Sequence, residues 1–530
     1  MPLPTTDTPW PPTDPRVQSD LADWDAWYSA DPDRLEARYT GRRDLATNTR
    51  PSQYASGVRG KLARWFWGTP TPANEQREKL HVPLAGDIAR TSATLLFSEP
   101  PNLISSHTGT QDRLNSLQDQ LHTTLLEGGE LASGLGGAYL RVVWDGAVSD
   151  RPWADVVAAD RAVPEFRYGR LAAVTFWTVL PDPTEPDGRR VYRHLERHER
   201  GRIYHGLYEG SAGTLGAPRP LQDHPVTEPL AAEVDAEGGL DTGAPDHLTA
   251  SYAPNVRPAR AWRHIPSAAG WGQSDYQGIE GILDHLDKTY SSWMGDVDNG
   301  KGRIIVPASM LESQGPGQGA TWNPDQRVYT PLNMLQRPGD PSPLTVVQFA
   351  IRVAEHRDTC HELIEQAVRQ AGYSAATFGE NGEGSAITAT EIRARQRRSM
   401  STRARKSLYW GPAIASIAAA LLAVEQGPRF GVSGLDLAEP PRVEFQDSVS
   451  EGPAELATTA ELLRRAEAAS TDTLVRMQHP DWDDAQVQAE VDLILGESGR
   501  ATADPFATGA EGVPHAGVPS DGGGSGPQGS

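Results

Sequence analysis

The sequence predicts an α+β protein: a strand-rich first half followed by long helices. Two observations carry that reading. Between Ala138 and Gly210 the chain runs through strand-like segments, AYLRVVWD, WADVVAAD, RLAAVTFWTVL, VYRHLERHER and RIYHGLYEG. The last two flank a turn at Gly201, so the first half reads as mostly antiparallel. From Gly272 to Gln426 the pattern changes to helix, short β insert, helix, glycine loop and Arg-rich helix.

In chain order, residues 1–20 are Pro-rich and read as a loosely held N-terminus. Trp24, Trp27 and Tyr28 begin a helix, and Trp65-Phe66-Trp67 follows a polar connection. Leu84, Ile88, Leu95 and Leu96 share a helical face that Pro100 and Pro101 close. A further helix near 111–127 is expected to stop at Gly128 and Gly129. After the strands, residues 211–250 are rich in Gly, Pro, Ala and acids and read as a long loop with room for one strand.

In the central region Ser274 is the expected N-cap of a helix starting at Asp275. Ile279, Ile282, Leu283, Leu286, Tyr290, Trp293, Met294 and Val297 form its apolar stripe at steps of three and four. RIIVPASML at 303–311 and RVYTPL at 327–332 supply the β insert, a second helix runs near 344–371, and a third runs from Thr388 to Gln426. Beyond them come a strand at Arg442–Phe445, helices at 453–468 and on ASTDTLVRMQ, and one aligning Val487, Val491 and Ile494. From Gly499 onward Gly, Ser, Pro and Ala dominate, which predicts a disordered tail.

Composition narrows the function. In 530 residues, 49 basic and 70 acidic side chains leave a net charge of −21, which argues against wrapping DNA on a broad surface. It leaves room for a protein past which DNA must slide. One cysteine, Cys360, excludes an intrachain disulfide and fits a reducing compartment. The N-terminus has neither the basic start nor the apolar core of a signal sequence. Ala413–Val424, the longest apolar run, is too short for a bilayer core of about 30 Å. The expected setting is soluble and intracellular, with no membrane partner.

Three motifs suggest chemistry and fail on context. GDVDNGKG at 295–302 spaces Gly295, Gly300 and Lys301 as a phosphate loop does, but Gly302 stands where Ser or Thr is needed and the order is helix then strand. GLGGAY at 134–139 has Tyr139 in place of the third glycine of a dinucleotide fingerprint and leads into a strand. His356 and Cys360 share a helical face with His361 beside them, but no further spaced ligand completes a zinc site. No GxSxG elbow is present. No catalytic residue, metal or cofactor is therefore expected. Two features remain: the glycine loop at 372–388, longer than a helix connector needs, and the run Arg393, Arg395, Arg397, Arg398, Arg403, Arg405 and Lys406.

Taken with that order of elements, three segments resemble the portal proteins of tailed double-stranded DNA bacteriophages, of the type in siphoviruses infecting Gram-positive hosts. They are SDYQGIEGILDHLDKTYSSWMGDVDNGKGRIIVP, SAITATEIRARQRRSMSTRARKSLYW and ASTDTLVRMQHPDWDDAQVQAEVDLILGE. The resemblance covers roughly residues 20–497. It implies a non-enzymatic ring, typically of twelve subunits, at one capsid vertex of the virion, assembled in the host cytoplasm. Double-stranded DNA enters and leaves through its channel. A separate terminase supplies the ATPase, and head–tail adaptor, major capsid and scaffold proteins are the other partners.

Carried onto this sequence, the resemblance implies a disordered N-terminus (1–20), an α/β wing (21–271), stem helices at 272–300 and 344–371, and a clip at 301–343. It further implies a tunnel loop at 372–388, a tunnel-proximal helix returning to the wing (389–449), a helical crown (450–498) and a disordered tail (499–530). Tyr373, Thr377, Phe378, Asn381 and Ser385 would then face DNA from the tunnel loop. Asp284, Asp287, Glu355, Asp358 and Glu362 would line the channel with negative charge, which repels phosphate and keeps DNA from sticking. Lys301, Arg393, Arg397, Arg398, Arg403, Arg405 and Lys406 would either guide the duplex or tie subunits together. The rival readings are a soluble nucleotide- or metal-dependent enzyme and another minor virion structural protein.

Overall fold

The computed structural model describes residues 3–35, 37–38, 80–182, 190–299, 303–305, 312–313, 320–321, 345–347, 351–379, 389–445, 453–479, 482 and 484–497. Two compact units meet in sequence between Ser448 and Val449.

The N-terminal segment is held, which corrects the expectation of a loose start. Trp10 donates its backbone N–H to Gly213, and Leu215 donates to Thr8. The Trp10 ring is buried with Leu195, Tyr208 and Leu215. A large aromatic face and two backbone bonds outweigh the proline content. Helix α1 (Pro15–Ser29) follows directly, with the Asp14 carboxylate accepting from the Arg16 N–H and Pro at its start.

Helix α2 (Leu84–Phe97) leads through β1 (Asn102–Ile104) into α3 (Thr108–Leu135). Gly128 and Gly129 do not end α3, as their composition suggests; they lie inside it. A Cβ on Gly128 would stand 3.1 Å from the Trp410 ring, and one on Gly129 would stand 3.0 Å from Phe97. The glycines therefore let α3 come close to its neighbours, and the helix ends later at left-handed Gly136 (φ 84°).

Strand β2 (Gly137–Val143) then pairs with β3 (Trp153–Ala158) and with β10 (Ala250–Pro254) in a three-stranded antiparallel sheet. A second antiparallel sheet runs in the order β4 (Ala162–Arg167), β5 (Arg170–Leu180), β6 (Val191–Glu199), β7 (Arg202–Ser211) and β8 (Thr214–Arg219). β9 (Gly239–Asp241) also pairs with β7. Residues 211–250 thus hold two ladder strands where a loop with at most one was expected. β8 hides its character because it is an edge strand with a register shift, and it tolerates Gly216 (φ 83°) and Pro218.

A buried polar row ties the two sheets together. Arg141 of β2 reaches Asp155 on its own sheet (2.9 Å) and Glu196 of β6 (2.7 Å). His198 bridges Glu196 (2.7 Å) and Thr249 (2.8 Å), and His194 lies 3.1 Å from His205. Burial would raise the Glu196 carboxyl, but Arg141 and His198 hold it below the usual carboxylate range. Burial, against the pull of Glu196, lowers His205 to about 4.

Helix α4 (Glu280–Asn299) starts five residues later than expected. Residues 275–279 are turns instead, because Gly278 takes a left-handed φ of 91° that no helix continues through. Likewise α5 (Val353–Ala371) is shorter than the expected 344–371, since Thr345–Val347 (β14) pairs with Arg303–Ile305 (β11). Of the expected insert, Glu312–Ser313 (β12) also pairs with Ala320–Thr321 (β13), while RVYTPL at 327–332 lies outside the described residues, as does Trp65–Trp67.

Helix α6 (Ala389–Gln426) carries the long apolar run, and Ile414, Ile417, Leu421 and Leu422 are buried with Leu125 of α3 and Leu140 and Val142 of β2. By length and composition alone the stretch Gln396–Gln426 is apolar enough to cross a membrane; 61% of its most apolar window is buried inside the fold. β15 (Arg442–Glu444) closes the first unit by pairing with β1. The second unit holds α7 (Pro453–Arg465), α8 (Thr471–Gln478) and α9 (Asp484–Glu497), of which α8 and α9 contribute a small core of Val475, Val487 and Val491.

Two predictions follow from this packing. Gly129→Leu drives a side chain into the Phe97 ring and should cost roughly 1–3 kcal/mol by thermal unfolding. Gly86→Ala in α2, where a Cβ meets nothing within 4 Å, should instead gain about 0.5–1 kcal/mol. Because His205 titrates near 4 when folded and at its ordinary 6.5 when unfolded, the unfolded chain takes the proton first. Stability should be full above pH 6.5 and fall by about 3 kcal/mol as pH drops from 6.5 through 4, a loss that His205→Leu should blunt in urea titrations at pH 7 and 4.5.

Candidate functional site

The element order of the central region is fixed by one buried ion pair. Lys406 lies on the inner face of α6, four residues before buried Trp410 and seven after buried Ser399, and is 1% exposed. Its Nζ lies 2.6 Å from Asp275 Oδ2. Its other donors are used as well, on the Tyr373 hydroxyl (2.7 Å) and on Ser92 Oγ (2.7 Å). Asp275 is equally saturated: Oδ2 also accepts from Ser133 (2.6 Å) and Tyr373 (2.8 Å), and Oδ1 accepts from the Asn255 amide (2.8 Å). One carboxylate and one ammonium thus join α2, α3, the turn after β10, the entry to α4, the exit of α5 and α6.

The backbone supports this. The Asp275 N–H donates to Ser133 O, and Ser274 Oγ donates to Gly134 O at 2.6 Å. Ser274 caps the 275–279 turn by accepting from the Tyr276 N–H, so the expected cap exists but serves a turn. Gly136 and Gly272 approach so closely that a Cβ on Gly136 would lie 2.8 Å from Gly272 O. That contact is what GLGGAY is for. Burial lowers the Lys406 ammonium against the pull of Asp275, and burial with Asp275 raises the Tyr373 hydroxyl well above its ordinary value.

From this knot α4 and α5 extend as a helical pair. Asp296 accepts from Arg352 (2.9 Å) and pairs with His356 (3.0 Å), whose ring stacks on Trp293. The apolar stripe of α4 is divided. Ile279, Leu283 and Leu286 near its start are buried, whereas Tyr290 is 36% and Val297 39% exposed. Asp287 is engaged by His81 (2.8 Å) and the Val82 N–H (2.9 Å), and Asp284 pairs with Lys288. Glu355, Asp358 and Glu362 lie exposed on α5 at steps of three and four.

The expected site residues therefore separate. Tyr373, expected to face DNA, is buried in the knot, and Thr377 is fastened to Ser399 (2.8 Å) with Phe378 packed edge-on against Tyr373. Lys406, expected on a basic surface, is internal. Lys406 turns inward because it shares the α6 face with buried Ser399 and Trp410, and Tyr373, just past α5, is drawn in by its bonds to Lys406 and Asp275. Arg403 donates to Leu95 O at 2.7 Å, in the last turn of α2, where a cation suits the helix C-terminus. Arg397, Arg398 and Arg405 are exposed. Arg393 lies in the first turns of α6, and Lys301, Asn381 and Ser385 lie outside the described residues.

The rival chemistry finds little support here. His356 bonds Asp296, Cys360 is buried, and among the described residues no group of three or more His, Cys, Asp and Glu is placed to hold a metal ion. Gly295 lies inside α4, not in a phosphate-cradling turn.

Residues 267–503, from just before the knot through α9, match the family Phage portal protein, SPP1 Gp6-like. Over that stretch, a little under half of the chain, the sequence is similar to phage portal proteins. The matched stretch holds the central helices of the α+β fold. Among curated proteins nothing matches the chain. Similar solved structures include a chain from "Virion of native gene transfer agent (GTA) particle", 13% identical with TM-score 0.35, covering 83% of this chain and 98% of that one. A chain from "Neck of native GTA particle computed with C12 symmetry" is 14% identical with TM-score 0.34, covering 86% and 98%. One from "Neck of empty GTA particle computed with C6 symmetry" is 13% identical with TM-score 0.35, covering 85% and 97%.

The knot is testable by substitution. Lys406→Met strands a buried carboxylate and should cost roughly 3–5 kcal/mol in chemical denaturation. Asp275→Asn with Lys406→Met together should cost clearly less than the sum of the two single changes, because the coupled charges leave as a pair.

Proposed function

We propose that the chain assembles through its helical pair into a ring, of twelve subunits as the sequence resemblance implies, around a channel for packaging and ejecting double-stranded DNA. The observation that carries this is the divided stripe of α4: its early apolar positions are buried, whereas Tyr290 and Val297 toward its end are exposed, and an interface between copies would cover them. In this reading 272–300 and 344–371 are the stem, 301–343 the clip, 21–271 the wing, 372–388 the tunnel loop, 389–449 the return to the wing and 450–498 the crown. Glu355, Asp358 and Glu362 are exposed acids of the stem, with Asp358 beside Arg357 (3.4 Å). Facing the channel, they would repel phosphate and lower the friction on a moving duplex.

Terminase and the head–tail adaptor would dock at the clip, with capsid and scaffold proteins around the wing. These partners, and a siphovirus of a Gram-positive host, rest on the sequence resemblance alone. The purified chain is expected to give particles near twelve chain masses by light scattering and rings with a central hole by negative-stain electron microscopy. A stable monomer or dimer across the micromolar range would overturn the assembly reading.

A further inference from the structure

In a chain of net charge −21, one exposed surface collects guanidinium groups that have no carboxylate at ion-pair distance among the described residues. It is built from two pieces. The outer face of α6 carries Arg398 and Arg405, and the Arg405 guanidinium donates to Arg257 O at 2.7 Å, fastening the loop 257–264 alongside. Tyr409 Oη donates to the same carbonyl at 3.2 Å. That loop exposes Arg260 and Arg263 while Trp262 between them is buried and anchored to Asp20 (2.8 Å). Its arginines are therefore held outward by a fixed backbone. Leu408, on the same face of α6, is 73% exposed.

A second, opposite surface runs along α3. Its inner face buries Leu114, Leu117, Leu121 and Leu125. Its outer face presents Asp112, Asp119 and Glu127 within about 80° of one another on a 100°-per-residue helix. Leu126 stands among them, 40% exposed. Each face thus combines one sign of charge with one exposed leucine.

We propose that these two faces are the two halves of a heterologous contact, the basic face of one copy receiving the acidic face of α3 from the next. The proposal rests on the ring reading above and deepens it by naming an interface outside the helical pair. Two different, complementary patches on one chain generate a head-to-tail contact, which closes into a ring when the rotation permits. The exposed leucines favour a protein partner over a nucleic-acid backbone, which offers phosphate but no apolar surface at its rim. The overall negative charge opposes phosphate in the same way.

The test is charge reversal in the full chain. One variant carries Arg260→Glu, Arg263→Glu and Arg405→Glu; the other carries Asp112→Arg, Asp119→Arg and Glu127→Arg. With folding checked by circular dichroism, each alone should raise the concentration needed for ring formation at least tenfold. Mixing the two variants should restore rings, since alternating copies again meet with opposite charge. Rings that form equally well in both variants would overturn the interface. So would a basic-face variant that assembles normally but loses retention of duplex DNA on filters, which would assign the patch to nucleic acid. A wild-type chain that stays monomeric would overturn the ring reading and this interface together, and is distinguishable because it needs no variant.

Discussion

Everything in the central region hangs on the pair between Asp275 and Lys406. Removing two charges from water is expensive, and such a pair is rarely a net source of stability. What it does here is fix geometry. Lys406 Nζ and the Asp275 carboxylate between them take Ser92, Ser133, Asn255 and Tyr373 as partners, so six segments must meet at one point for the two buried charges to be satisfied. Any change in the angle at which α4, α5 or α6 leaves that point would strand a buried charge. The helical pair is therefore anchored at its base by a contact that tolerates few alternatives, while its far end is free of such restraint.

That distinction explains what was legible in the sequence. Strands β2, β3, β5, β6 and β7 announced themselves because alternation and the Gly201 turn reflect local sterics. β8 did not, because an edge strand with a glycine at a register shift and a proline on its open side carries the composition of a loop. Gly128 and Gly129 misled for a related reason: their meaning lies in the rings of Trp410 and Phe97, hundreds of residues away or on another helix, and no local rule contains that. Lys406 was the most instructive. Its neighbours at four and seven residues are on the buried face of α6, and that periodicity was visible. The surrounding arginines hid it, since a charge run suggests a solvated surface.

The separation of Lys406 from the exposed arginines also reorganises the charge. The basic run is not one patch but three populations: a lysine inside the fold, Arg403 closing the end of α2, and an outward face with Arg397, Arg398 and Arg405. The acids divide in the same manner. Asp287 and Asp296 are engaged by other segments of the chain, whereas Glu355, Asp358 and Glu362 are exposed on α5, Asp358 beside its neighbour Arg357. Counting charges along the sequence blurs these roles, because a helix places consecutive residues on different sides.

The portal family match begins at residue 267, a few positions before the Gly272 to Asp275 turn that enters the knot. The matched region thus starts where the chain passes from a self-sufficient α/β body into helices that are not self-sufficient. Within the first, Trp262, Tyr139 and Phe176 are almost wholly buried by the chain's own atoms. Beyond Leu286, α4 and α5 meet each other along Trp293, His356 and Asp296, residues 80–82 bond Asp287 and Ser291, and Tyr290 and Val297 stay exposed among the described residues. Two helices joined along one seam bury too little apolar surface to be ordered strongly by that seam alone. The rigid base and the uncovered remainder are complementary: the knot sets the direction in which the pair projects, and on the proposed ring the neighbouring copies supply the surface that the chain itself does not.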